Sequence, residues 1–297
     1  MSRSPSRRVM RGAIAVLAAA GLTVLAACAS SSSSGTTGAT TSAAASASAS
    51  PSVKASGSAS ASSSAAGSVA PASGGTLTVF AAASLKATFT EMGQTFQEQN
   101  PGTTVTFNFA GSSDLVTQIT SGAPADVFAS ADQNNMTKAV DGGVIDGTPV
   151  NFASNTLTIV TQPGNPKGIA GFADLAKPDL QVVVCAPQVP CGAATQKVEQ
   201  NTGVTLTPVS EESSVTDVLG KLANGADAGL VYVTDAKNAG DKVTEVPFPE
   251  ASAVVNVYPI APVKGGPQPE LASKFIELVT GPDGQQILSG AGFQPAP

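Results

Sequence analysis

The chain contains no histidine and no tryptophan, and its four arginines, Arg3, Arg7, Arg8 and Arg11, all fall in the first eleven residues. Everything after them lacks both Arg and His. These absences exclude a Ser-His-Asp or Cys-His nucleophile, a His-ligated metal, an arginine finger and Arg-based reading of DNA bases. Acid-base chemistry would fall to carboxylates, Lys or the two tyrosines. Positive charge is also scarce: from residue 76 onward ten lysines face 21 acidic residues, which leaves eleven net negative charges. Nucleic acids and anionic membranes both require a basic surface to displace counterions, so the folded part is expected to bind neither. Any anion it holds must be held by local dipoles. What the chain does have is 297 residues, 42% of them hydrophobic, with 30 Gly and 21 Pro, which is enough for one or two globular domains.

The first segment reads as targeting. Four arginines precede an apolar run from Gly12 to Ala27, the n- and h-regions of a secretory signal too short to span a membrane comfortably. The run ends in Leu25-Ala26-Ala27-Cys28, which resembles the lipobox of bacterial lipoproteins. That resemblance implies a signal peptide at 1–27 and acylation of Cys28 as the mature N-terminus, with the lipid holding the protein on the outer face of the cell membrane. An ordinary cleavage site and an uncleaved anchor are the competing readings. After Cys28, residues 29–75 of the 28–75 stretch are nearly all Ser, Ala, Thr and Gly, with Lys54 the single charge. Such a composition cannot bury a core and predicts a disordered tether, a spacer of roughly 40 Å.

From residue 76 strand and helix patterns alternate. Thr76-Leu77-Thr78-Val79-Phe80 predicts a buried strand, and Ser84 opens a helix with Leu85, Phe89, Met92 and Phe96 at helical spacing. Thr103 to Phe109 predicts a second strand, followed by a turn and a helix with Leu115, Val116 and Ile119 on its apolar face. Ala125 to Ser130 and Asn155 to Thr161 are further strand patterns. A second set follows: strand Gln181 to Cys185, a helix through Ala194 and Val198, a helix bearing Val215, Val218, Leu219 and Leu222 capped by Ser213 or Ser214, and strand Gly229 to Val233. Val254 to Val263 is a long extended run and Pro269 to Leu288 reads as helical. Repeated β-α units predict parallel sheets covered by helices on both faces, and the two sets, joined by two extended runs, predict two lobes.

In open α/β sheets ligands bind at the carboxyl ends of strands, where the free N–H groups of the following helix favour an anion. Ser84, Ser112 and Ser113 each stand where a strand hands over to a helix. A lone serine there is ordinarily a plain cap; several together suggest one ligand.

The same turns carry a family resemblance. Val79-Phe80-Ala81-Ala82-Ala83-Ser84-Leu85, Phe109-Ala110-Gly111-Ser112-Ser113-Asp114-Leu115, the run from Gly122 to Asp132, Val189-Pro190-Cys191-Gly192, Gly229-Leu230-Val231-Tyr232 and Gly292-Phe293 together resemble the periplasmic molybdate-binding proteins of ABC importers, over essentially all of residues 76–297. The resemblance implies an α/β, two-lobed periplasmic-binding-protein fold of type II, each lobe a mostly parallel sheet flanked by helices, with the ligand cleft between them. Lobe 1 is expected at 76–156 and 258–297, lobe 2 at 157–257. It further implies a tetrahedral dianion, molybdate or tungstate, bound by the hydroxyls of Ser84 and Ser112, the backbone N–H groups of Cys191 and Val215, and the Tyr232 phenol. Ser113 stays open as an alternative to Ser112. Neutral donors of this kind would account for the missing arginines. The implied partners are the oxyanion, an ABC permease with its ATPase, and the membrane through the lipid on Cys28. The implied protein is a monomer that catalyses nothing and needs no cofactor.

The remaining residues carry less. Cys185 and Cys191 bracket a seven-residue loop, and export predicts that they are oxidised to a disulfide, contributing roughly 2 kcal/mol in the loop-closure picture; a redox pair and a metal pair are the alternatives. Glu211, Glu212, Glu245 and Glu250 read as solvated, Asp126 as structural within the first lobe, and Tyr258 as hinge packing. The rival functions are the same fold tuned to another oxyanion such as sulfate, a secreted carboxylate-dependent hydrolase, and a surface adhesin on a stalk.

Overall fold

A computed structural model describes residues 74–297. The expected signal peptide, the lipid-bearing Cys28 and all of the tether but Gly74 and Gly75 lie outside the described residues. Strand β1 (Thr76–Ala82) alternates Thr with Leu77 and Val79, both fully buried. A 3-10 turn at Ala83–Leu85 leads into α1 (Lys86–Gln99), whose Phe89, Met92 and Phe96 fall on one face and are buried. Then come β2 (Thr104–Ala110), α2 (Ser112–Thr120), β3 (Val127–Ala129), α3 (Gln133–Asp141), β4 (Val150–Asn155) and β5 (Leu157–Thr161). The chain continues with β6 (Val182–Cys185), α4 (Pro190–Thr202), β7 (Ser210–Glu212), α5 (Val215–Ala223), β8 (Ala228–Tyr232), α6 (Val233–Ala239), β9 (Thr244–Val246), β10 (Asn256–Pro262), α7 (Pro269–Thr280) and α8 (Pro282–Ala291). Among the described residues no helix is long and apolar enough to cross a membrane.

These strands form two five-stranded sheets, ordered β2-β1-β3-β10-β4 and β7-β6-β8-β5-β9. In the first, β1 pairs in parallel with β2 and β3, whereas β10 is antiparallel to both β3 and β4. In the second, β6 is parallel to β7 and β8, whereas β5 is antiparallel to β8 and β9. Each sheet is therefore mixed, with one reversed strand. The reason is topological. β5 and β10 are the strands by which the chain enters a sheet from the other one, so they start where their neighbours end.

Three patterns resolve differently from their sequence reading. The run Asn155 to Thr161 is two strands in two different sheets, broken at Thr156, because the chain crosses between lobes there. The helical run from Pro269 breaks at Gly281, where Pro282 has no N–H to continue the ladder and opens α8 instead. The short strands β7 and β9 carry too few apolar residues to be read as strands; they form because a sheet edge stands beside them. Glu212, on β7, is not a freely solvated acid: Ser210 donates to it and Lys221 lies 3.4 Å away.

Aromatic side chains are few but concentrated. Phe275 of α7 packs on Phe89 and Phe96, with ring centroids 5.8 and 5.4 Å apart, and Tyr258 of β10 meets Phe152 and Phe293 at 6.2 and 5.4 Å. Asp126 is buried as an acceptor for the backbone N–H groups of Thr78 and Gln268, at 2.8 and 2.7 Å, so its role is structural within the first sheet. Cys185 and Cys191 form a disulfide that spans the loop from β6 to the first turn of α4. Because that loop is short, Cys185→Ser with Cys191→Ser is expected to lower unfolding stability by about 2 kcal/mol, the loop-closure entropy of a seven-residue ring; chemical denaturation of the oxidised protein and the double variant measures it.

Candidate functional site

Register decides which turns come together. β1 pairs Ala82 with Ala110 of β2, so the turns that follow, bearing Ser84 and Ser112, open side by side. β6 pairs Cys185 with Glu212 of β7, which sets the turn bearing Cys191 beside the one bearing Ser214 and Val215. Ser84, Ser112, Cys191, Val215 and Tyr232 all line one cavity, together with Ala83, Gly111, Ala131, Pro190 and Ser214. Ser113 does not line it; its hydroxyl is buried without a partner in the first turn of α2. The two sheets thus contribute Ser84 and Ser112 from one side and Cys191, Val215 and Tyr232 from the other.

No charged side chain lines this cavity. Its walls are instead the starts of helices, where the first N–H groups have no acceptor within the helix and the dipole is positive. Pro190 at the head of α4 removes one N–H, leaving those of Cys191 and Gly192 as the first free donors. Neither serine spends its hydroxyl on its own helix. Gly111, not Ser112, is the N-cap of α2, and Ser112 Oγ accepts from the Ala131 N–H at 3.0 Å. Ser84 sits in the 3-10 turn with its Oγ 3.1 Å from the Tyr258 hydroxyl. The plain capping role belongs to Ser214, whose Oγ accepts from the Asp217 N–H at 3.3 Å and donates to its carboxylate at 2.7 Å.

The cavity volume is about 10 Å³, room for about one water-sized group and far below the chamber of about 480 Å³ that adjoins it at Ser84. Among the described residues no three His, Cys, Asp or Glu side chains gather closely enough to hold a bare metal ion. Together these features fit a small anion held by neutral donors.

The two tyrosines of the chain both stand here, fully buried, with ring centroids 5.9 Å apart. Burial, reinforced by each other and by nearby carboxylates, holds the Tyr232 hydroxyl well above the usual phenol range. Burial does the same to Tyr258. Both therefore keep their protons at neutral pH. Tyr258 was legible as hinge packing, but not as the partner of Ser84. A register shift between Tyr258 and Pro259 in β10, where proline has no N–H to give the ladder, stands beside the residue that reaches Ser84. Asn256 and Asp235 had no motif to mark them, and Ala131 lay in the Gly122 to Asp132 run with no role assigned to it. Asp235 Oδ2 accepts from the Tyr232 N–H at 3.1 Å, and burial pushes its carboxyl up to about 7.

Two α/β lobes with a small donor-lined cavity at the carboxyl ends of their strands define a two-lobed solute receptor of the periplasmic-binding-protein type. The chain belongs to the bacterial extracellular solute-binding protein family, whose pattern its residues 77–294 match. That is a solute-binding family and not an enzyme family. The chain is 56% identical over 225 residues to the molybdate-binding protein ModA of Mycobacterium tuberculosis H37Rv, covering 75% of this chain and 86% of that one. It is 34% identical over 236 residues to ModA of Escherichia coli K12, covering 75% and 91%. The periplasmic molybdate-binding protein of Azotobacter vinelandii superposes with a TM-score of 0.63 at 24% identity, over 73% of this chain and 98% of that one, and so shares its fold.

The lobes approach closely at Gly111, where an added Cβ would stand 2.0 Å from the Ser213 carbonyl oxygen of the other lobe. Gly111→Ala is expected to hold the lobes apart and weaken anion binding at least tenfold while leaving the melting temperature of the free protein within a few degrees; titration calorimetry beside a melting curve tests both. Asp235 yields a second expectation. Its folded-state pKa of about 7 lies above the ordinary 3.8, so the folded protein binds more protons across that interval and loses stability as pH rises through it. Asp235→Asn should flatten the fall in stability between pH 4 and 7 and be the more stable of the two at pH 8, as read from denaturation midpoints across pH.

Proposed function

We propose that the protein captures molybdate, and tungstate with it, outside the cytoplasm and delivers it to an ABC permease and its ATPase. The observation that carries this reading is the cavity between the lobes: helix N-termini and hydroxyls converge there with no basic side chain among them. A dianion in such a place is stabilised by hydrogen bonds to its charge, each contributing about 1.5–3 kcal/mol. Ser84, Ser112 and Tyr232 supply hydroxyls; Cys191 and Val215 supply backbone N–H groups. Relatives named for molybdate binding support the choice of ligand. Backbone donors are fixed in place, so selection of molybdate and tungstate over sulfate by size is expected of the site once it has opened around its ligand. The protein acts as a monomer without cofactor or catalysis, tethered to the outer face of the cell membrane through a lipid on Cys28.

Calorimetric titration of the purified protein with molybdate, tungstate, sulfate and phosphate tests the reading. One-to-one heat with the first two is expected. Ser84→Ala and Ser112→Ala should each weaken binding about 10- to 100-fold, the loss of one hydrogen bond to a charge; Ser84→Ala should change the melting temperature little, whereas Ser112→Ala, which leaves the buried Ala131 N–H unpaired, should lower it by a few degrees. Heat with sulfate alone would change the ligand and keep the receptor; silence with all four would overturn the function.

A further inference from the structure

The Tyr232 hydroxyl is held by a side chain that stands in none of the motifs. Asn256 opens β10, is buried, and places its Nδ2 2.9 Å from the Ala131 carbonyl oxygen and 2.9 Å from the Tyr232 hydroxyl. A carbonyl oxygen can only accept, so the amide must present its NH₂ end. Both protons of that nitrogen are then committed, one to Ala131 and one to Tyr232. The tyrosine oxygen is an acceptor at this contact, and its own proton is turned away from Asn256. Burial keeps that proton in place at neutral pH. Ala131 does the same for the opposite lobe, since its N–H donates to Ser112 Oγ. One residue, Ala131, thus holds Ser112 through its N–H and Asn256 through its carbonyl, and Asn256 passes the orientation to Tyr232.

We infer that Asn256 is a positioning residue that sets the Tyr232 hydroxyl as an obligate donor, so that the cleft prefers a fully deprotonated oxyanion to one that carries its own proton. The inference rests on the oxyanion reading above. A hydroxyl whose oxygen already accepts offers the P–O–H of hydrogen phosphate no partner, whereas a hydroxyl free to turn can accept that proton. Molybdate, with no proton at neutral pH, asks for donors alone.

The test is a double-mutant cycle of Asn256→Ala and Tyr232→Phe, read by titration with molybdate and by competition with phosphate at pH 7. Asn256→Ala is expected to weaken molybdate about tenfold in the wild-type background and less than twofold in the Tyr232→Phe background. It should also narrow the preference for molybdate over phosphate at least tenfold, while Tyr232→Phe leaves no such effect for Asn256→Ala to exert. A merely structural asparagine would weaken both anions alike and add fully to Tyr232→Phe; either result overturns the inference. If Asn256→Ala does not fold, Asn256→Asp keeps the shape and reverses the bond, because a carboxylate takes the Tyr232 proton for itself. Molybdate affinity should then fall at least 100-fold at pH 7 and recover as the carboxylate is protonated; unchanged affinity overturns the inference. Wild-type protein that ignores molybdate overturns the functional reading and this one with it, whereas wild-type binding with additive losses overturns the role of Asn256 alone.

Discussion

Everything in this protein is arranged around the cost of holding negative charge in a chain that is itself strongly negative and has no arginine or histidine beyond Arg11. None of the lysines lines the cavity, so stabilisation there has to come from dipoles. A dipole is useful only if it is aimed and fixed before the anion arrives, and helix N-termini meet that need because their first N–H groups are rigid and unpaired. Each contributes modestly, so several have to meet at one point. That requirement explains the two sheets: their strands end at a common cleft, and Ala82 beside Ala110 and Cys185 beside Glu212 fix which turns face each other.

The second layer matters as much as the first. A hydroxyl is both donor and acceptor, and a site for a dianion needs only the donor. Ser112 accepts from the Ala131 N–H, Tyr232 accepts from Asn256, and Ser84 stands against the Tyr258 hydroxyl. Asn256 and Tyr258 both lie on β10, the strand that returns from the second lobe to the first. The chain's crossing is therefore also the frame that orients the site, and aromatic packing of Tyr258 against Phe152 and Phe293 anchors that frame in the larger core.

Much of this was legible in the residues themselves. Phe89, Met92 and Phe96 recur at helical spacing because one face of α1 is buried, and Leu77 with Val79 mark a strand buried against it. The serine-bearing turns stood out because strand-to-helix junctions there repeat. Legibility failed where partners are distant in sequence. β7 and β9 are strands only because a neighbouring edge offers them hydrogen bonds, and the single extended run at Asn155 to Thr161 hides a passage from one sheet to another that Thr156 alone divides.

By itself, then, the sequence determined the chemistry allowed: no arginine or histidine for an anion, two tyrosines, one cysteine pair beside a helix start, and a recurrent β-α rhythm with small polar residues at its turns. These follow from composition and local periodicity, which need no knowledge of contacts. Only the tertiary structure decided how those groups are used. Whether Ser84 and Ser112 cap their helices or turn their hydroxyls elsewhere, and whether Asn256 is a strand residue or the keeper of Tyr232, depend on atoms 19, 174 and 24 positions away along the chain. A hydrogen bond is set by separation in space and by the competition for each lone pair, and neither quantity exists until both sheets have formed.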